Sequence, residues 1–153
     1  MANTYSQIHI QIVFGVKYRQ SLIADAWKSR LYSYISAIIQ NHGHKLLAIN
    51  GIADHIHILF GYRMHQLIPD LVQYIKRDSS EWINKSDFCN KKFAWQSGYG
   101  AFSYRKSDVP QIIEYINNQE MHHQKKSFLN EYENLLTEFE MEYNPFYLFK
   151  SPE

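Results

Sequence analysis

The sequence predicts an α+β protein with a ferredoxin-like βαββαβ core, in which one antiparallel sheet carries helices on one face and further helices are appended at the C-terminus. Two observations predict this fold. Runs of β-branched residues alternate along the chain with segments in which apolar residues recur at helical spacing. The order of these segments is β-α-β-β-α-β, the split βαβ pattern. The 153 residues, 45% hydrophobic and 20% charged, suit one globular unit, so we expect a single domain over residues 1–153.

The first half of the predicted core contains a strand, a helix and a hairpin. Residues 8–16 are rich in Ile and Val and predict the first strand. Apolar residues at helical spacing predict a helix over residues 22–41, and Gly43 suits a helix stop. Two apolar runs, 45–50 and 55–61, are separated by a short polar segment and predict a hairpin.

The second half of the chain contains a helix, a short strand and two C-terminal helices. We expect a helix over residues 67–84 and a strand over residues 101–104. Asp108 is expected to cap a helix that continues to about His123. The last amphipathic helix is predicted over residues 128–142.

Composition and charge limit the classes of protein to which this chain can belong. The lone cysteine, Cys89, excludes a disulfide framework and a cysteine-based zinc site, and it fits a reducing compartment. No apolar run reaches the roughly 18 residues of a membrane span, and the N-terminus lacks the regions of a signal peptide, so we expect a cytoplasmic protein without membrane contact. Residues 1–110 carry 13 Lys and Arg against 7 Asp and Glu, whereas residues 111–153 carry 3 against 8. This asymmetry permits an anionic partner on one face, but it also suits an unevenly charged solvated surface.

The segment His55-Ile56-His57 lies in the third predicted strand. Alternate residues of a strand point to the same face, so the two imidazoles project together. Two neighbouring imidazoles on a rigid strand can supply two ligands to a divalent metal. The alternative is a pair of surface histidines on a half-buried strand.

A second candidate motif, Tyr115 to Gln119, lies on a predicted helix. Residues four apart share a helix face, so the phenol and the amide lie side by side. The amide oxygen of Gln119 is a hard ligand that suits Mg²⁺ or Mn²⁺, and phenols form covalent intermediates in catalysis. The alternative is that Tyr115 packs in the core. His122 lies on roughly the same face and either replaces or supplements Gln119 as a ligand, or ends the helix together with His123.

Together, the motifs His55-Ile56-His57 and Tyr115 to Gln119 resemble those of a known family. Residues 13–19, after the first strand, and residues 95–103, before the last strand of the core, carry two further matches in the same order. The chain resembles the single-tyrosine HUH transposases of the smallest insertion sequences, the IS200-like superfamily that includes the REP-associated tyrosine transposases. The resemblance extends over nearly the whole chain, which it implies is a single HUH transposase-like domain.

The resemblance implies a specific chemistry. His55, His57 and Gln119 would bind Mg²⁺ or Mn²⁺, and Tyr115 would attack the scissile phosphate of single-stranded DNA. The product would be a 5′-phosphotyrosine link and a free 3′-OH that can later rejoin strands. The family implies a homodimer that recognises DNA hairpins, with Tyr115 acting in cis or in trans. No nucleotide cofactor is expected, because transesterification retains the bond energy and no GxxxxGK[ST] loop is present.

Basic residues beside aromatic ones are the candidate DNA contacts. Cations can hold phosphates, and rings can stack on unpaired bases. The candidates are Lys17, Tyr18, Arg19, Lys76, Arg77 and Arg105. Each cluster also suits a solvated charged surface.

Three other functions compete with this hypothesis. A phosphoesterase with two His-x-Ser/Thr motifs is disfavoured, because the chain has no such motif. A DNA-hairpin-binding protein that kept the fold and lost the chemistry stays open, as does a domesticated nuclease in place of a mobile-element enzyme.

Overall fold

Among the residues that the computed structural model describes, the sheet has four strands, β1 (His9–Gly15), β2 (Lys45–Ile52), β3 (His55–Gly61) and β4 (Gly100–Tyr104). The strand order is β2-β3-β1-β4, and every neighbouring pair is antiparallel. This is the sheet of a split βαβ fold, so the predicted ferredoxin-like class is confirmed. The structure describes residues 4–124 and 126–144, and the remainder of the predicted domain of 1–153 lies outside the described residues.

Within these described residues, five α-helices accompany the sheet: α1 (Lys28–Asn41), α2 (Ile68–Lys85), α3 (Val109–Asn117), α4 (Gln119–His123) and α5 (Phe128–Glu138). The prediction that the first helix begins at residue 22 was wrong. Ile23 and Trp27 are buried in an irregular segment before α1, and their apolar spacing imitates a helical turn. Within residues 4–124 and 126–144, no helix is both long enough and apolar enough to cross a membrane.

The predicted helix from Asp108 to His123 was also wrong, because it is two helices. Asn118, with φ −100° and ψ 22°, separates α3 from α4. The Asp108 side chain makes no capping hydrogen bond and pairs instead with Arg105 at 3.3 Å. The last helix is shorter than predicted and ends at Glu138, while Ser127 caps its start by accepting a hydrogen bond from the Asn130 amide at 3.2 Å.

The side chains of β1 and β3 divide between two faces of the sheet. The apolar face packs against α1 and α2 and consists of Ile10, Ile12, Phe14, Ile56, Ile58 and Phe60. The histidine face consists of Gln11, Val13, His55, His57 and Leu59, all of them buried. The three C-terminal helices cover the histidine face, where Val13 packs with α5 residues and Leu59 packs with Ile116 of α3. The appended helices therefore enclose the strand that carries the two histidines.

The close pairing of β2 with β3 depends on Gly51, which lies in β2 opposite Ile56. A Cβ atom at this position would lie 2.1 Å from the carbonyl oxygen of His55, so only glycine allows the two strands to approach this closely. The approach fixes the start of β3, and with it the position of His55.

Candidate active site

His55 and His57 point inward from β3, and both side chains are fully buried. The Nδ1 atom of His55 lies 2.7 Å from a carboxylate oxygen of Asp54, and the Nδ1 atom of His57 lies 2.7 Å from Oε1 of Gln11. Because these oxygens accept hydrogen bonds, each Nδ1 carries a proton and each Nε2 faces the centre of the site. Metal-binding histidines are held in this way, by a partner on the other ring nitrogen. The alternative of surface histidines is therefore excluded.

Gln119 and Tyr115 reach the same centre from α4 and α3. Oε1 of the fully buried Gln119 lies 3.1 Å from Nε2 of His55. The Tyr115 ring stands edge-on to the His57 ring, with 5.7 Å between the ring centroids. The structure thus brings together all four residues that the two sequence motifs predicted, within one chain. Their roles as nucleophile and metal ligands stay predictions.

Glu131 of α5 lies at the centre of the site, and sequence reasoning missed it. Its side chain is 2% exposed, and its Oε1 atom lies 3.1 Å from Nε2 of His57 and 3.3 Å from Nε2 of His55. Its Oε2 atom accepts hydrogen bonds from the Tyr115 hydroxyl and, at 3.1 Å, from the Gln119 amide. One signal in the sequence could have found it. Glu131 lies three residues after Phe128 and four before Leu135, so it is a carboxylate on the apolar stripe of a helix.

The two histidines that end α4 differ in position. The His123 side chain is 3% exposed, and its Nε2 atom lies 2.8 Å from Oε1 of Glu131. The His122 side chain is 34% exposed, and its Nε2 atom lies 3.6 Å from Oε2 of Glu131. Sequence reasoning singled out His122 as the further ligand, but it is His123 that lies in the buried group.

The donor set fits a divalent cation. His55, His57, His123 and Glu131 each offer one ligand atom, and these atoms all lie within 4.8 Å of one another. Imidazole nitrogens, a carboxylate oxygen and the nearby amide oxygen of Gln119 are ligands that suit a divalent metal such as Mn²⁺. The residues present therefore fit the metal that the sequence analysis expected.

The protonation of the histidines and of Glu131 bears on this fit. Burial lowers the pKa of His57 to about 4, so the ring is neutral at pH 7 and can act as a ligand. Burial opposes protonation of His55 as well, but the hydrogen bonds to Asp54 and Glu131 outweigh it and raise the pKa of His55. Burial likewise opposes ionisation of Glu131, but the surrounding imidazoles, His123 first, hold its pKa far below the usual range. The site therefore keeps an ionised carboxylate that attracts positive charge.

Tyr115 is protonated under the same conditions and is accessible from solvent. Burial, reinforced by the charge of Glu131, raises the pKa of the phenol above its usual value. Tyr115 lines two clefts, one of about 230 Å³ and one of about 320 Å³. The first cleft is lined by residues that include Tyr104, Lys126 and Asn134. The phenol is therefore reachable from outside the protein.

The predicted DNA contacts are spread over the surface. Lys17, Tyr18 and Arg19 form a short 3-10 turn after β1, in which Tyr18 and Arg19 take the left-handed φ values of 60° and 54°. The Lys17 ammonium lies 5.3 Å from the centre of the Tyr18 ring. Arg105 follows β4 and is 82% exposed on its side chain. Exposed cations of this kind are available to phosphates.

Lys76 and Arg77 lie on α2, across the sheet from Tyr115, so the structure does not bring them to the candidate active site. Lys76 donates hydrogen bonds to the carbonyl oxygens of Gln96 at 2.8 Å and Gly98 at 2.5 Å. Its partial burial lowers its pKa to about 8. Arg77 is 53% exposed on its side chain and pairs with Asp78 at 3.0 Å.

Comparison with known proteins adds the following findings. The family model described as "Transposase IS200 like" matches residues 4–119. The ISDra2 transposase TnpA of Deinococcus radiodurans is 23% identical over 118 residues, which are 74% of this chain and 84% of that protein.

Two solved structures share the fold. A crystal structure of a Deinococcus radiodurans R1 protein described as a transposase has a TM-score of 0.62 and 22% identity, over 78% of this chain and 95% of its own. A REP-associated tyrosine transposase bound to a REP hairpin has a TM-score of 0.61 and 14% identity, over 80% of this chain and 73% of its own.

The match to the family model defines the class of protein as a transposase. The match over residues 4–119 takes in both sequence motifs, from His55 to Gln119. The chain belongs to the IS200-like transposase family.

Proposed function

We propose that the protein is a metal-dependent transposase that cleaves and rejoins single-stranded DNA through a 5′-phosphotyrosine intermediate. One observation carries this proposal. The Tyr115 hydroxyl and the Nε2 atom of His57 contact the two oxygens of a single buried carboxylate, Glu131. A nucleophile and a cation site that share one carboxylate are close enough to act on the same phosphate.

The residues divide the chemistry between them. His55, His57 and Gln119 would hold Mg²⁺ or Mn²⁺, and the bound cation supplies positive charge to an oxygen of the scissile phosphate. The Tyr115 oxygen attacks phosphorus as the phenol loses its proton, and the bond from phosphorus to the 3′-oxygen breaks. The 3′-oxygen takes up a proton and leaves as a free hydroxyl. Reversal of these steps with another 3′-OH rejoins the strands, and no nucleotide cofactor is consumed.

The geometry favours a nucleophile in cis. Tyr115 and His57 belong to one chain and lie ring against ring, with their centroids 5.7 Å apart. Each subunit of the proposed homodimer would therefore carry a complete set of candidate catalytic residues.

The proposed substrate is single-stranded DNA with hairpin ends, which follows from the family and from the neighbour that is bound to a REP hairpin. The proposed DNA contacts, Lys17, Tyr18, Arg19, Lys76, Arg77 and Arg105, would hold phosphates and stack on bases. Such a protein would act in the cytoplasm, on the nucleoid.

A second candidate function is hairpin binding without chemistry, by a domesticated or catalytically silent relative. One contact favours it: the Tyr115 hydroxyl is already hydrogen-bonded to Glu131, and its raised pKa makes it a weak nucleophile until it is activated.

A covalent-trapping assay tests both candidates. Wild type, Tyr115→Phe and Tyr104→Phe are incubated with end-labelled hairpin oligonucleotides from the flanking genomic DNA, with Mg²⁺, Mn²⁺ or EDTA. Tyr104 is the matched control, because its ring lines the same cleft as Tyr115. We expect a metal-dependent adduct on denaturing gels with wild type and Tyr104→Phe, and none with Tyr115→Phe. Hairpin binding without any adduct would favour the second candidate, and an adduct with Tyr115→Phe would exclude Tyr115 as the nucleophile.

A further inference from the structure

We propose that Glu131 and His123 complete the metal site, with Oε1 of Glu131 and Nε2 of His123 as ligands, while Oε2 of the same carboxylate positions Tyr115. This inference rests on the proposed function, because it concerns the same metal. Both residues lie outside residues 4–119, the segment that matches the family. They belong to α4 and α5, C-terminal to the last matched residue, Gln119.

The orientation of His123 is the first argument. Its Nδ1 atom lies 2.6 Å from the carbonyl oxygen of Lys126, to which it donates a hydrogen bond. Its Nε2 atom then faces Oε1 of Glu131, 2.8 Å away. His57 has the same arrangement, with Gln11 on its Nδ1 atom and Glu131 on its Nε2 atom.

The distances are the second argument. The three imidazole Nε2 atoms lie 2.8, 3.1 and 3.3 Å from Oε1 of Glu131. Around a metal bound at about 2.1 Å, neighbouring ligand atoms lie roughly 3 Å apart. These atoms therefore have the mutual spacing of ligands around one cation, which the carboxylate of Glu131 would attract.

The packing of α5 is the third argument, since a ligand must be held in place. The Phe128 ring stacks on the His55 ring, with 3.9 Å between centroids and 3° between planes. Tyr132 and Leu135, on the same helix, pack against Val13 and other residues behind the site. Glu131 thus lies between two apolar anchors that fix its helix against the histidine face.

The second carboxylate oxygen links the metal site to the nucleophile. Oε2 of Glu131 accepts from the Tyr115 hydroxyl and from the Gln119 amide. A single side chain therefore sets the distance between the phenol and the cation. In this respect Glu131 is a positioning residue for Tyr115 as well as a metal ligand.

The test measures metal binding in place of activity. Mn²⁺ is titrated into wild type, Glu131→Gln and His123→Gln, and free Mn²⁺ is followed by electron paramagnetic resonance. We expect each variant to bind Mn²⁺ at least about tenfold more weakly than wild type. Glu133→Gln is the matched control, because it makes the same change of charge on the same helix outside the ligand group, and it should bind Mn²⁺ as wild type does.

Thermal unfolding separates a ligand from a merely structural residue. As a ligand, Glu131 is required for the rise in Tm that Mn²⁺ produces in wild type, so Glu131→Gln should lose that rise while keeping its Tm in EDTA. A structural role would lower the Tm in EDTA and leave the Mn²⁺-induced rise intact, which would overturn the inference. If circular dichroism shows that Glu131→Gln is unfolded, the same comparison of Tm in EDTA and in Mn²⁺ is made with His123→Gln, and its result decides.

The outcomes also distinguish the two proposals. If Glu131→Gln and His123→Gln bind Mn²⁺ like wild type while His57→Gln does not, this inference fails and the proposed metal-dependent function stands. If wild type itself binds no divalent metal, both fail.

Discussion

The two faces of the sheet differ sharply, although the same two strands supply both. In the pairing of β1 with β3, Ile12 lies opposite Ile58 on the apolar face, and the next pair, Val13 and His57, lies on the histidine face. Because side chains alternate, a slip of one residue would exchange the two sets. The difference teaches that the register of one strand pair decides both the core and the site.

The two faces of the sheet also contribute differently to the stability of the fold. The side chains of Ile12, Ile56 and Ile58 are fully buried, and each such side chain contributes about 1.5–3 kcal/mol through its removal from water. Buried polar groups such as His57 cost stability unless they are hydrogen-bonded. Gln11 satisfies the outer nitrogen of His57 at 2.7 Å, and the inner nitrogen faces the carboxylate of Glu131. One face therefore stabilises the fold, and the other keeps ligand atoms available.

The largest expected effect comes from removing a buried side chain from the apolar face. Ile58→Ala should lower the free energy of unfolding by about 3–4 kcal/mol, because it leaves a cavity beneath α1 and α2. Urea denaturation measures this loss, and Ile58→Val, which removes one methyl group, should cost about 1 kcal/mol. Adduct formation per folded molecule should stay at the wild-type level. A specific loss of adduct formation in folded Ile58→Ala would contradict the division between the faces.

A somewhat smaller effect is expected when the histidine face is titrated in EDTA. The pKa of His57 is lowered to about 4 in the folded protein, whereas the unfolded chain has an ordinary value near 6.5. Between these values the unfolded state binds the extra proton, so stability is lost as the pH falls from 6.5 to 4. Across this range wild type should lose about 3 kcal/mol relative to His57→Gln.

Urea denaturation of both proteins at several pH values measures this difference. If the curves of wild type and His57→Gln ran parallel from pH 7 to pH 4, the buried ring would not be the source of the acid sensitivity.

The smallest expected effect concerns Arg77, on the helix that covers the apolar face. Arg77→Ala should leave the free energy of unfolding unchanged, because its pair with Asp78 is exposed. If α2 contacts DNA, the slope of log affinity for hairpin DNA against log salt should fall by about 1. Fluorescence anisotropy at several salt concentrations measures the slope. An unchanged slope would remove Arg77 from the DNA surface and confine recognition to other residues.

The sequence predicted the fold well where periodicity is local. Alternation along β3 correctly placed His55 and His57 on one face. The four-residue spacing of Tyr115 and Gln119 also held, although Asn118 interrupts the helix between them. Both relations depend on neighbours along the chain, which a single sequence records.

These local rules could not predict contacts between segments that are far apart in the sequence. Glu131 reaches the site from α5, which a loop separates from Gln119 and the rest of α4. No spacing rule links Glu131 to His57. The amphipathic pattern of α5 indicates that one side of the helix is buried, but it does not say against which face of the sheet. The predicted start of α1 failed for a related reason, because Ile23 and Trp27 are buried without being helical.

The position of Glu131 late in the chain has a consequence for how the protein folds during its synthesis. The site draws on β3, α3, α4 and α5, and its central carboxylate is among the last of these groups to be synthesised. A nascent chain that has already folded its sheet on the ribosome still lacks this carboxylate. Assembly of the site therefore waits for the last helix to dock, so chains interrupted before α5 would carry the histidine pair without the group that joins it to the tyrosine.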